Sequence, residues 1–207
     1  MGGNMTIYKG KAHNMGKLAI FLSRLNSEKQ SHIGYCGTNS DEIQQTLRED
    51  FLEENDELSF MIAFNEKNEI IAAIGLDVDD DIAEVWGPFQ ISDEVKGNIL
   101  WEELLKEYPQ IHTFHFFINE VNSRQLAFAE SIGAGYTGKH SILEITTDSV
   151  TPLSHEHSTP YSEESFEAFQ KLHHETFPGT YYDAGTIVER LKRGHTLKLL
   201  KAGDHHL

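Results

Sequence analysis

Residues 84–105, EVWGPFQISDEVKGNILWEELL, constrain the fold of this chain more than any other stretch. They read as a strand, a short loop and the first turns of a helix. The next segment, QIHTFHFFINEVNSRQLAFAESIGAG (110–135), runs again from strand into helix. Two successive strand–helix units form the centre of a mixed α/β domain, and the first strand–helix corner is its natural ligand site. Two glycines that would let the backbone close on a phosphate at that corner are absent.

Composition limits the partners. The 207 residues suffice for one large domain or for one domain and part of another. Hydrophobic residues at 39% and charged residues at 24% fit a globular chain and argue against wholesale disorder. The apolar run from Leu18 to Leu25 is broken by Ser23 and Arg24, so it is too short and too polar for a membrane span or a signal peptide. Cys36 has no second cysteine to pair with, which makes the cytoplasm the default compartment. A formal charge of −16 excludes nucleic acid and anionic membrane as partners, since nothing would neutralise a row of phosphates. The same acidity suits a cationic substrate such as an amine, although solubility alone explains most acidic surfaces.

The remaining elements follow from periodicity. MTIYK (5–9) reads as a strand, and Leu18, Phe21, Leu22 and Leu25 form one face of a helix over 15–26. HIGYCGTNS (32–40) is a loop, with Ser40 as the N-cap of a second helix that carries Ile43, Leu47 and Phe51 at spacing four. LSFMIAF (58–64), the turn NEKN (65–68) and EIIAAIGLDV (69–78) make a hairpin, and DDD (79–81) turns into the strand 82–91. A helix over 98–107 stops before Pro109, a strand covers 111–118, a helix over 122–132 ends at Gly133, and a last strand covers 136–146.

These elements assign residues 1–147 to one domain, 148–160 to a proline- and hydroxyl-rich linker, and 161–207 to a partial second unit. The second unit repeats an order already seen: a helix with Phe166, Phe169 and Leu172, the loop FPGTYYDAG, a helix with Ile187 and Leu191, then HTLKLL. So short a piece buries little apolar surface, which predicts packing on the first domain or on another copy of the chain as a homo-oligomer.

Over residues 5–146 the element order resembles the GNAT superfamily of N-acetyltransferases. In that family the central strand splays from its neighbour to admit acetyl-CoA, and the loop after it follows [RQ]-x-x-G-x-[GA], whose backbone N–H groups hold the diphosphate. Phe89 and Ile91 and the leucines Leu104 and Leu105 fall in register with this motif, and Lys96 takes its basic position. Ile99 and Trp101 stand where the motif has glycine and a small residue, and Gly97 directly follows the basic position. The segment FFINEVNSRQLAFAESIGA resembles the family's next strand and helix, Asn122 and Gly133 matching it, while Ala129 and Ala134 replace its tyrosine and terminal phenylalanine. The C-terminal piece resembles the opening of a second, truncated unit of a tandem-domain member.

The resemblance implies an α/β acyl-CoA N-acyltransferase fold, acetyl-CoA as cosubstrate, and a small amine or protein amino group as acceptor. It assigns cofactor contacts to Phe89, Ile91, Lys96, Gly97, Asn98 and Asn122. Acetyl transfer needs a base for the amine and a proton for the departing thiolate. Glu84 on the central strand is the candidate base and Tyr136 the candidate acid; the plainer reading, preferred for each, is a solvent-facing strand residue for Glu84 and ordinary core or surface packing for Tyr136. Ile99 and Trp101 crowd a diphosphate unless both pack as core residues of their helix, the reading preferred here. The alternative function is a non-catalytic module of the same fold, used for assembly or ligand sensing, with a degenerate cofactor loop. The twelve histidines show no convergent ligand spacing, so no metal is expected, and Cys36 reads as an idle thiol.

Overall fold

The computed structural model describes residues 5–92, 97–141, 158–180 and 182–200. The chain divides into two compact units, Met1–Gly138 and Lys139–Leu207. The first holds a five-stranded sheet in the order β1 (Thr6–Lys11), β2 (Glu57–Phe64), β3 (Ile70–Asp79), β4 (Ile82–Gln90) and β5 (Thr113–His115). The first three pairings are antiparallel, and β4 with β5 is parallel.

Strands β2 to β4 are apolar almost throughout because both faces of the sheet are covered. On one face α1 (Met15–Asn26) and α2 (Ser40–Asp50) place Leu18, Leu22, Ile43 and Leu47 against Phe60, Trp86 and Phe89. On the other, α3 (Gly97–Glu107) and α4 (Ser123–Ser131) place Leu100, Trp101, Leu104 and Phe128 against Met61, Ile74, Leu76 and Val85. The stripes predicted for the first two helices are therefore the buried ones.

Local chemistry sets the ends of these elements. Asn39, not Ser40, caps α2: its side chain accepts the Asp41 and Glu42 N–H groups, and Ser40 becomes the first helical residue. The two hairpin turns place Asn68 and Asp80 at positive φ, a conformation that short polar side chains tolerate. Gly133, at φ +82°, ends α4 with its N–H donating to the Glu130 carbonyl, while the Ala134 N–H reaches Ala129.

The structure departs from expectation around β5. The strand predicted over 111–118 covers only Thr113–His115. Across from it, β4 takes one extra residue: Gly75 of β3 faces Trp86 whereas Ala73 faces Phe89, so Gly87–Pro88 forms a bulge. The peptide between these two residues is cis. Pro88 has no N–H to give to a neighbouring strand, and β4 leaves β5 after Glu84. The chain after β5 pairs instead with the α1–α2 connection, through an Ile33–Ile118 bridge and a Gly34 N–H to Phe117 carbonyl bond of 2.6 Å. Residues 134–141 form no strand where 136–146 was expected, and 142–146 lie outside the described residues.

In the second unit, β6 (Ser158–Pro160), α5 (Phe166–Thr176), α6 (Ala184–Leu191) and β7 (Lys198–Leu200) follow one another, with β6 antiparallel to β7. Strand β6 lies in the stretch read from sequence as linker. The element order and the antiparallel pairing match β1–α1–α2–β2 of the first unit, including a single 3-10 turn before the first helix of each.

Candidate functional site

The register of the sheet brings three chemically active side chains to one face. Glu84 sits opposite Asp77 of β3 and opposite His115 of β5, and directly paired residues share a face. That face is the one covered by α1 and α2, because Trp86, two residues along β4, packs edge-on to Phe51 with ring centroids 4.8 Å apart. Glu84 is 7% exposed and Asp77 9%, while His115 is half-buried. Two carboxylates and an imidazole therefore line up across the sheet where β4 and β5 begin to separate.

A fourth group comes from the connection between α1 and α2. Tyr35 is half-buried, with its ring edge-on to Phe117 at 5.6 Å. Burial raises its hydroxyl pKa well above the ordinary tyrosine range, and the negative charge of Glu84 adds to the effect. Tyr35 thus stays protonated at any physiological pH and lies within the electrostatic reach of Glu84.

The loop carrying Tyr35 is built on Asn26. This residue occupies the buried stripe of α1, four residues after Leu22, and is fully buried. Its side-chain oxygen accepts the Ile33 N–H at 2.7 Å, and its amide donates to the carbonyls of Ile33 (3.2 Å), Gly37 (3.1 Å) and Cys36. A side chain thus does for residues 33–37 what a strand or helix would do for their backbone. Cys36 is buried in the same loop, and burial raises its thiol pKa, which makes it a poor nucleophile.

Past Glu84 the seam between β4 and the chain after β5 is bridged by α4. Gln125 Nε2 donates to the Pro88 carbonyl at 3.0 Å, and Arg124 Nη1 donates to the Gln90 carbonyl at 3.0 Å. The side-chain oxygens of Gln125 and Gln90 are buried without a donor, as is the Trp86 indole N–H without an acceptor. On the α3 side, Trp101 meets the rings of Phe114, Phe116 and Phe128 at centroid distances of 4.9, 6.1 and 6.1 Å. At the C-terminal end of β4 lies a cleft of about 720 Å3, lined by residues of α1, the loop after it, β4 and the start of α4. Such ends are where α/β sheets take ligands.

The residues proposed from sequence scatter over this geometry. Glu84 lies in the buried row described above. Tyr136 is 83% exposed on the stretch after α4, so no packing holds its hydroxyl in place. Phe89 is a fully buried core side chain, and Ile91 is 48% exposed at the cleft. Gly97 begins α3 so close to β4 that a Cβ there would stand 2.8 Å from Pro88 Cγ, which gives this glycine a packing role. Asn98 is exposed in the first turn of α3, and Lys96 lies outside the described residues. Asn122 is 1% exposed and fully engaged: its oxygen caps the Gln125 N–H at 3.2 Å and its amide donates to the His32 carbonyl at 3.2 Å. Trp101 packs as a core residue, as expected. Ile99 does not; it is 40% exposed. Tyr35 and Gln125 were not found from sequence. Asn26 left one signal, a polar residue on an otherwise apolar helical stripe.

Among the described residues no group of three or more His, Cys, Asp and Glu side chains is arranged to hold a metal ion, and no helix is long and apolar enough to cross a membrane.

No family model matches the chain, and no curated protein does. Solved structures do. The aminoglycoside N-acetyltransferase AAC(6')-Iy, determined in complex with CoA, superposes with a TM-score of 0.51 at 11% identity, covering 70% of this chain and 97% of that one. A GNAT-family acetyltransferase from Staphylococcus aureus Mu50 aligns at 18% identity with a TM-score of 0.48, covering 63% of this chain and 84% of the other. The first unit is a mixed α/β sheet flanked by helices, with a parallel strand pair whose pairing ends at Glu84–His115, ahead of the Gly87–Pro88 bulge. Its fold is the GNAT acyl-CoA N-acyltransferase fold.

Proposed function

We propose that the chain is an N-acyltransferase that moves an acetyl group from acetyl-CoA to an amine, small or at a protein amino group, with Glu84 as the base. The observation that carries this reading is the separation of β4 from β5 immediately after a buried carboxylate. An unpaired seam there is room for an extended arm, and a carboxylate at its closed end is placed to take a proton. The residues present fit an amide-bearing arm: Gln125 Oε1, buried beside Pro88, is an acceptor without a donor and matches an amide N–H.

Bound in the seam, acetyl-CoA supplies a thioester carbonyl open to attack by an amine. Glu84 holds the proton that the amine gives up. Tyr35, held against Phe117, is the candidate proton donor for the leaving thiolate in place of the exposed Tyr136, although burial and the charge of Glu84 both oppose the loss of its proton. Asp77 and His115 flank Glu84 and set its electrostatic environment.

A second reading, a non-catalytic module of the same fold, is favoured by one specific feature. Trp101, Phe116 and Phe128 join α3 to α4 through ring contacts, and Arg124 and Gln125 occupy β4 carbonyls along the seam. Both readings are decided by following thiol release from acetyl-CoA with polyamines, aminoglycosides and peptides as acceptors. Release that depends on an acceptor and disappears in Glu84→Gln supports transfer; an equal background in wild type and variant supports the module.

A further inference from the structure

The second unit repeats the first only as far as its second strand, and the first unit shows what belongs beyond it. There β1 is the outer strand, and β2 pairs on both sides, with β1 and with β3. In the second unit β6 takes the place of β1 and β7 that of β2, yet among the described residues β7 pairs with β6 alone. The helices show the same deficit. Leu18 and Leu22 of α1 and Ile43 and Leu47 of α2 are fully buried, whereas α5 buries no residue and α6 only Ala184. Leu172 and Phe177 are exposed, and Leu200 of β7 is 75% exposed.

The two edges of this small sheet differ. The Tyr161 N–H donates to the Leu197 carbonyl at 3.0 Å, so by the alternation of an antiparallel pair Thr159 also turns its backbone groups toward β7, while Ser158 and Pro160 turn theirs outward. Pro160 has no N–H, which blunts the β6 edge. On β7 the same alternation turns Leu197 and Leu199 inward and leaves the N–H and C=O groups of Lys198 and Leu200 on the outer edge. That edge keeps both donors and is the one on which an added strand can pair.

The first unit also fixes the direction of the strand that belongs there, since β3 runs antiparallel to β2. A two-fold axis between two copies of β7 supplies that direction with no further sequence. Centred on Leu199, the axis sets Lys198 opposite Leu200 of the second copy, so the outward donors and acceptors of both edges are used together. The helices of the two copies then lie side by side on one face of the joined sheet. Charge allows the approach: the chain has 33 acidic and 17 basic side chains, but residues 158–200 hold six acidic and five basic, so repulsion between copies is weak over this unit. We infer that the second unit is a dimerisation module in which β7 of one copy pairs antiparallel with β7 of another, giving a four-stranded sheet. The inference is independent of the transfer reaction.

The test is sedimentation equilibrium on the full chain, which should give twice the monomer mass of 23.5 kDa. Leu200→Pro removes an outward N–H and leaves the pairing with β6 intact. It should raise the dissociation constant about tenfold or more, because the symmetry deletes the hydrogen bond twice, while far-UV circular dichroism stays that of wild type. Leu199→Cys should cross-link to a covalent dimer under mild oxidation, since the axis sets this residue beside its own copy and the native Cys36 is buried. Lys198→Cys, displaced from the axis, should cross-link far less. The cysteine pair leaves the strand undisturbed, so it decides the question even if the proline variant unfolds. A single-chain mass at every concentration up to millimolar overturns the inference. So does an unchanged dissociation constant in a folded Leu200→Pro, or equal cross-linking of the two cysteine variants, either of which would mean a dimer formed elsewhere.

Discussion

Replacing Asn26 with alanine removes the side chain on which the loop from Ile33 to Gly37 is hung. Ile33 is 1% exposed, so its N–H loses a 2.7 Å acceptor that water cannot replace. Leaving such a donor unsatisfied costs about 1–3 kcal/mol. The carbonyls of Ile33, Cys36 and Gly37 lose their common donor as well, which brings the expected destabilisation to roughly 3 kcal/mol. For a chain of this size that corresponds to a fall in Tm of about 10 °C. Thermal and urea melts of wild type, Asn26→Ala and Asn26→Asp measure it. The aspartate keeps the acceptor for Ile33 but turns a charge toward three carbonyls, so it too should be destabilised. Amide hydrogen exchange should accelerate first at Ile33 and Gly34, the residues that connect this loop to Phe117 and Ile118. If Asn26→Ala melts within about 0.5 kcal/mol of wild type, as a surface substitution does, the loop is held by something else. The placement of Tyr35 within reach of the Glu84 charge would then lose its physical basis.

Further outcomes follow from the same structure. Glu84→Gln should lower acceptor-dependent turnover by about 100-fold or more while near-UV circular dichroism stays that of wild type; equal turnover would remove Glu84 from the chemistry. Lys9 is held by Glu53 at 2.8 Å and Glu57 at 3.4 Å; desolvation opposes its charge, but these two partners outweigh it and raise its pKa. Its stabilisation is therefore complete below the ordinary lysine pKa and is lost as pH rises through the higher folded value, so the melting difference between wild type and Lys9→Met should vanish in strong alkali. Glu57, lowered chiefly by its bond to Lys11, works in the opposite sense: its contribution is present above the ordinary glutamate range and fades as pH falls through its folded value. Removal of residues 159–207 should leave a unit that melts cooperatively, because both buried clusters of the sheet lie within the first 138 residues; precipitation or a broad melt would refute that independence.

Much of the architecture was legible because burial writes a period into the chain. Ile43 and Leu47 announced α2, and the double-faced apolar runs from 58 to 91 announced the central strands. The cap at Asn39 was misplaced by one residue because Asn and Ser are near-equal caps and stand side by side. Strand β5 was drawn too long because Phe116, Phe117 and Ile118 have strand composition. Where a β-prone run pairs is a long-range matter, decided here by the bulge at Gly87–Pro88 and by the loop at Ile33.

The site was less legible for the same reason. Glu84 could be named from its place on the central strand. Its partners Asp77, His115 and Tyr35 come from three other parts of the chain, and only sheet register and the Asn26 bonds bring them near. Ile99 and Trp101 look alike as replacements for small residues, yet two residues along a helix amount to about 200° of rotation, which turns Trp101 into the aromatic core and Ile99 to the surface.

The account depends on whether the seam between β4 and β5 still admits acetyl-CoA. Melting the full chain with increasing acetyl-CoA measures this without an acceptor being known. The account predicts stabilisation that grows with the logarithm of concentration and reaches about 2.7 kcal/mol at one hundred times the dissociation constant. A melting curve that does not move at millimolar acetyl-CoA would contradict it.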